Sequence, residues 1–172
     1  TGDNNTAIGF NALTANANID GAGNNTAIGA TAGAALQAGT NNTIVGSGAG
    51  ATTTAVDSAV IIGQGGGAAN MTADADGTVA IGTGAGALLT SGAQNTAVGF
   101  NALDAQQTGD NNTAIGFNAL TANANVDGAG NNTAIGANAG AALQAGTNNT
   151  ILGCDAAAGA TTANNCVVIG DA

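Results

Sequence analysis

The hydrophobic positions of this chain follow one short motif, in which a branched aliphatic residue is followed at once by Gly. With this Gly as position 0, position −1 is always Ile, Val or Leu, position −3 is always Thr or Val, and position −2 is Ala, Ile or Val. The motif returns ten times, at intervals of 17 to 20 residues. A period this short predicts an all-β parallel β-solenoid of about ten coils, with one strand in each coil. The glycines at position 0 are predicted to mark the corners, at Gly9, Gly29, Gly46, Gly63, Gly82, Gly99, Gly116, Gly136, Gly153 and Gly170.

Positions −1 and −3 point to the same side of a strand, and position −2 points to the other side. Both sides are apolar, which predicts a strand that is covered on both faces. We expect positions −1 and −3 to form the interior of each chain, at Ile8, Ile28, Val45, Ile62, Ile81, Val98, Ile115, Ile135, Leu152 and Ile169, with Thr6 and Thr113 beside them. We expect position −2 to contact other chains, at Ala7, Ala27, Ile44, Ile61, Ala114 and Ile151, together with Phe10, Phe100 and Phe117 at position +1. On this assignment, Ile115→Asp disrupts folding and Ala114→Asp disrupts assembly.

Polar and small residues also keep to fixed positions. Asn occupies both −5 and −4 in six coils, and stacked coils would align these amides in ladders. Position +3 is always Ala or Gly, as expected at a tight corner. Two of the coils are longer, and their extra residues, within Thr14–Gly23 and Thr121–Gly130, are expected to project as loops.

A second, longer period relates the two ends of the chain. Residues 1–63 align without gaps on residues 108–170, and 49 of these 63 pairs are identical. We therefore interpret residues 1–172 as a single repeat array that contains an internal duplication. Because the array opens at Thr1 and ends within a motif, we expect it to be a segment of a longer chain.

The composition narrows the possible functions. Ten Asp and no Lys, Arg or His give a formal charge of −10, so no basic surface exists to neutralise nucleic acid phosphates. No apolar run is long enough to span a membrane, and we expect no direct membrane insertion. The serines have no His or Lys to activate them, so the sequence indicates no enzyme and no cofactor.

A few single residues leave alternatives open. Each Phe at position +1 is followed three residues later by Leu, and such pairs either cap a corner, fill a groove between chains or form exposed contacts for a receptor. Asp74 and Asp76 are weak candidates for a Ca²⁺ site, although solvated turn carboxylates are the favoured interpretation. Cys154 and Cys166 occupy different positions of their coils, which makes a disulfide less favoured than two separate thiols.

The run Asn-Asn-Thr-Ala-Ile-Gly-Phe-Asn-Ala, at residues 4–12 and 111–119, resembles the head repeat of YadA-like trimeric autotransporter adhesins. Weaker copies of the run occupy the other coils. The resemblance implies a left-handed parallel β-roll in which three chains pack together. Related repeats occur in trimeric fibres of phages and in surface proteins.

Together these features predict a structural or adhesive fibre segment, extracellular or at a cell surface. The expected partner is the chain itself, as a trimer or a longer filament, with a host surface, matrix or glycan as further possible partners. The alternatives are an ice- or glycan-binding solenoid surface, in which the Thr column is exposed, and the shaft of a phage tail fibre.

Overall fold

The computed structural model describes residues 3–15, 22–105, 107–122 and 130–171. Ten three-residue strands run parallel in one sheet, in the order in which they occur in the chain. They are β1 Thr6–Ile8, β2 Thr26–Ile28, β3 Thr43–Val45, β4 Val60–Ile62, β5 Val79–Ile81, β6 Thr96–Val98, β7 Thr113–Ile115, β8 Thr133–Ile135, β9 Thr150–Leu152 and β10 Val167–Ile169. Each strand pairs with the next at equivalent positions, so that −3, −2 and −1 each form a column. The predicted all-β solenoid is confirmed, with about nine turns.

The described ranges contain no α-helix, and a 3₁₀ turn lies at Ala73–Ala75. No helix among these residues is long and apolar enough to cross a membrane. The projecting loops predicted within Thr14–Gly23 and Thr121–Gly130 fall largely outside the described residues.

The corner glycines are needed because the coils approach one another closely. All ten have φ between +131° and +140°, a range that side chains disfavour. A Cβ at Gly116 would overlap the carbonyl group of Gly136 in the next coil. The predicted role of these glycines as corners is therefore confirmed.

The predicted orientation of the strand faces is wrong. Position −2 points into the chain: Ala27, Ile44, Ile61, Ala80, Ala97, Ala114, Ala134 and Ile151 are buried, while Ala7 in the first described coil is exposed. Positions −1 and −3 point outward, and the residues predicted as core, namely Ile8, Ile28, Val45, Ile62, Ile81, Val98, Ile115, Ile135, Leu152, Ile169, Thr6 and Thr113, are half-buried or exposed. The −2 residues are therefore covered by their own chain, and the outer face carries the larger side chains.

The narrowness of the coil explains this orientation. Position −2 shares the interior with a buried Ala or Gly at position +3 and, further along the coil, with Leu36, Leu89 and Leu143 at position +7, so each three-residue strand has room for one inward side chain. Where −2 is Ile, position +4 of the preceding coil is Gly: a Cβ at Gly140 would lie 2.9 Å from Cδ1 of Ile151. Three coils instead place an inward Leu at +4, at Leu13, Leu103 and Leu120, and all three are buried.

A column of buried amides supports the corner before each strand. Asn132 at position −4 donates from Nδ2 to Oδ1 of Asn112 at 3.1 Å and to the Gly146 carbonyl at 2.8 Å. Its own Oδ1 accepts from the backbone N and the Nδ2 of Asn149, at 3.1 and 2.9 Å. The predicted Asn ladder is thus confirmed at position −4. Ala59 and Thr78 interrupt it between Asn42 and Asn95.

Candidate interaction surface

The outward columns −3 and −1 form a continuous strip, which we call the outer face. It contains one Thr or Val and one Ile, Val or Leu from each of the ten strands. With strands about 4.8 Å apart and three residues long, the strip is roughly 43 Å by 10 Å. Its footprint of roughly 400 Å² matches the largest apolar patches of monomeric proteins, which are often functional.

The outer face combines exposed methyl groups with free hydroxyls and no charge. Ile115 is 38% exposed and Leu152 is 43% exposed, although their neighbours in the column stack against them. Within the described part of the chain, the hydroxyls of the −3 threonines, such as Thr113 and Thr133, make no hydrogen bond to another protein group. The methyl groups of the outer face can therefore be buried against an apolar partner, while the hydroxyls of the −3 column can bind ordered water.

Aromatic residues border the outer face at position +1, just beyond the corner glycines. The rings of Phe100 and Phe117 stack with centroids 5.6 Å apart and planes 13° apart. Both rings are about half exposed, and Phe10 is 74% exposed. The Leu that follows each Phe is buried, so the predicted Phe–Leu pairs are divided between the surface and the interior.

The two cysteines are free and exposed, and they lie in different columns. The thiol of Cys154, at position +1, donates to Oδ2 of Asp155 at 3.4 Å. This hydrogen bond and the negative charge of Asp155 raise the pKa of Cys154 above its usual range. The thiol of Cys166 faces the carbonyl of Asn164 at 3.4 Å.

The two candidate Ca²⁺ ligands have different surroundings. Asp76 Oδ1 accepts from the backbone N of Asp57 at 2.7 Å, which connects two coils, while Asp74 lies exposed in the 3₁₀ turn. Among the residues that the structure describes, no three His, Cys, Asp or Glu side chains come together. Asp76 acts as a structural acceptor, and Asp57 accepts in the same way from the N and Oγ1 of Thr40.

Comparison with known proteins adds no relative: no family model, curated protein or solved structure matches the chain.

The sequence pattern did not predict that positions −1 and −3 are exposed, because apolar character alone does not distinguish the two sides of these strands. A usable signal lies in residue size. Position −2 is Ala in six coils, and each of the three Ile residues at −2 follows a coil that has Gly at position +4, as Ile44 follows the coil of Gly33. Such exchange of volume between two positions is typical of residues that share an interior.

Proposed function

We propose that this chain is a structural segment of a fibre, in which copies associate side by side through the outer face. The observation that supports this proposal is the alignment of ten apolar residue pairs, in register, on one uncharged strip. Isolated surface hydrophobic residues are ordinary, whereas a strip that runs the length of the molecule is typical of an interaction site.

A second copy of the chain is favoured over a basic partner by the distribution of charge. The strip carries no charge, and the ten Asp are the only charged side chains in the chain. A partner with basic groups would meet no carboxylate on the strip, whereas a second copy offers matching methyl groups at every coil. Three copies around one axis would cover each strip from two sides, which agrees with the trimer that the sequence resemblance implies.

The role of such an assembly is mechanical. Coils that contact only their neighbours make a rod whose length follows the number of repeats, and lateral packing of rods stiffens them. The Phe column and the Asn column flank the strip and would remain on the outside, where they could contact another surface. We propose an extracellular or cell-surface location for this fibre, with adhesion as its outcome.

Sedimentation velocity at micromolar concentration tests the association directly. We expect a species of three times the chain mass of 15.8 kDa. Ile115→Asp should yield monomers, whereas Leu88→Asp should not, because Leu88 is 47% exposed but lies outside the outer face. A wild-type chain that sediments as a monomer, or a Leu88 variant that dissociates as readily as the Ile115 variant, would refute the proposal.

One observation favours a second candidate, a surface that orders water or binds ice. Seven of the ten −3 residues are Thr, and the structure places this column outside at one coil spacing. A regular row of free hydroxyls and methyls can match a lattice of water molecules. Val60, Val79 and Val167 interrupt the row. A thermal-hysteresis measurement distinguishes the candidates, since a fibre segment with covered strips leaves the freezing point at the value of its buffer.

A further inference from the structure

Six coils carry an exposed Asn at position −5, and each is followed two residues later by the Thr of position −3. This acceptor column consists of Asn4, Asn24, Asn41, Asn111, Asn131 and Asn148. Asn-x-Thr is the sequence in which the first Asn accepts an N-linked sugar. The column lies beside the outer face, so its accessibility does not depend on whether copies associate there.

The structure separates the two asparagines of each Asn-Asn-Thr run. Asn112 and Asn132 at position −4 are buried in the ladder, where their amides are bonded. The acceptors at −5 are all exposed, and their φ angles lie between +56° and +60°. Three of the acceptors donate from Nδ2 to a neighbouring side chain, each at 3.3 Å and at the surface: Asn4 to Asn24, Asn41 to Thr40 and Asn148 to Asn165. The nitrogen that would carry a sugar is therefore accessible.

The threonine hydroxyl is the second observation. Within the described residues the fold makes no use of it at position −3, and Val60, Val79 and Val167 occupy the same column without disturbing the register. The fold thus requires a β-branched residue there, while an N-linked acceptor also requires the hydroxyl. Four coils lack the pair: Ser58 and Gly77 stand two residues before Val60 and Val79, while Gln94 precedes Thr96 and Asn165 precedes Val167, so that the latter two coils keep one member each.

We infer that the acceptor column is a site of N-linked glycosylation. The sugar donor is one activated at C1 by a diphosphate. The bond from Asn Nδ2 to C1 forms as the bond from C1 to the diphosphate oxygen breaks, the diphosphate leaves with the electron pair, and Nδ2 loses one proton. Lipid-linked and nucleotide-linked sugars share this chemistry. Neighbouring acceptors lie one coil apart, about 4.8 Å, so a sugar on one Asn crowds the next and partial occupancy is expected within each group of three.

A seventh Asn-x-Thr begins at Asn70, outside the acceptor column. There the fold uses both side chains: Asn70 Oδ1 accepts from Thr54, and the hydroxyl of Thr72 donates to the Thr90 carbonyl. The inference therefore covers the six column residues only.

Mass spectrometry of the chain isolated from its native source tests the inference. Trypsin is unsuitable because the chain has no Lys or Arg, whereas a protease that cuts before Asp releases residues 3–19 with Asn4, residues 110–126 with Asn111 and residues 76–103 with no Asn-x-Thr. We expect added sugar mass on the first two fragments and none on the third. Absence of sugar from both acceptor fragments overturns the inference, even if a purified transferase can add sugar to the chain in vitro.

Two matched variants made in the same source sharpen the test. Thr113→Val should remove the sugar from Asn111, and Val167→Thr should add one at Asn165, which is exposed with φ +55° and lies in the same column. Both changes keep a β-branched residue, so circular dichroism should be unchanged. Sugar retained in the first variant, or not gained in the second, contradicts the inference. Incubating the unmodified chain with a membrane transferase and lipid-linked sugar, or with a soluble transferase and nucleotide sugar, identifies the donor by which reaction adds mass.

Discussion

Two separate Asp substitutions in β7, one at a buried residue and one at an outward residue, distinguish an effect on folding from an effect on assembly. Ala114 is fully buried in the chain, between Ala97 and Ala134 of the neighbouring strands, while Ile115 is 38% exposed on the outer face. We therefore expect Ala114→Asp to prevent folding and Ile115→Asp to prevent association of folded chains. This is the reverse of the outcome that the apolar pattern of the sequence predicts.

The two substitutions differ in magnitude for clear reasons. A carboxylate at position 114 has no cation to pair with, because the chain has no Lys, Arg or His. Burying an unpaired charge costs at least several kcal/mol, which is comparable to a net stability of about 5–15 kcal/mol. At position 115 the change costs the isolated chain about 1 kcal/mol of strand preference and roughly 1–2 kcal/mol of the partial burial of Ile115, which is 38% exposed. In an assembly it loses about 1 kcal/mol of apolar burial per chain and desolvates a carboxylate at about 3 kcal/mol or more.

Circular dichroism and sedimentation velocity measured on both variants distinguish these effects. The Ala114 variant should lack the β signal at every concentration, and the Ile115 variant should retain it while sedimenting as a monomer. Ala114→Ser provides a control, because a small neutral side chain should keep both the fold and the association. A folded Ala114→Asp variant together with an unfolded Ile115→Asp variant would show that the faces have the opposite orientation.

Three further substitutions test the corner, the ladder and the thiol. Gly116→Ala should lower the midpoint of thermal unfolding sharply, because the added Cβ would overlap the Gly136 carbonyl. Gly65→Asn is the control and should change the midpoint little, because no atom lies within 4 Å of a Cβ there and Asn tolerates φ +63°. Equal midpoints for the two variants would contradict this account of the corner. Asn132→Ala should cost about 2–4 kcal/mol in denaturant unfolding, since it leaves the Gly146 carbonyl and the backbone N–H of Asn149 without their partners, and a loss below about 1 kcal/mol would show that water replaces them. Asp155→Asn should lower the raised pKa of the Cys154 thiol, so that more thiolate is present at pH 8 and Cys154 is alkylated faster. An unchanged alkylation rate would mean that Asp155 does not set the pKa of Cys154.

The repeat made the fold predictable from the sequence, but it did not make the orientation of the strand faces predictable. Ten returns of the same motif fix one strand per coil, and the glycine and Asn columns place the corners and the ladder. A three-residue strand with Thr-Ala-Ile presents apolar groups on both sides, so alternation alone cannot say which side is inside. The answer depends on the distance to the opposite wall, which is a property of the closed coil. In β7 the buried residue is the small Ala114, which shares its core cluster with Leu120, whereas the larger Ile115 lies on the outer side.

The surface features were harder to predict for a related reason. Phe117 and Leu120 are three residues apart and equally apolar, yet the ring is half exposed and the Leu is buried. Leu120 has φ +51°, a left-handed conformation that turns its side chain inward at a position where other coils have Gly. The sequence indicates only a hydrophobic pair, whereas in the structure the two side chains lie on opposite sides of the coil wall because of the backbone conformation between them.

The division of labour among columns also explains how such a chain can change its surface without losing its fold. Stability depends on columns that face inward or lie at corners, where Gly116 and Asn132 meet their counterparts in the next coil. The columns at −5, −3 and +1 project outward, and there the ten coils differ most in chemistry, from Phe117 to Ala137 to Cys154 at position +1. Because each coil contacts only its neighbours, a substitution in an outward column stays local. Duplication of coils therefore lengthens the rod at constant cross-section, and later changes in the outward columns adjust what the rod binds or carries.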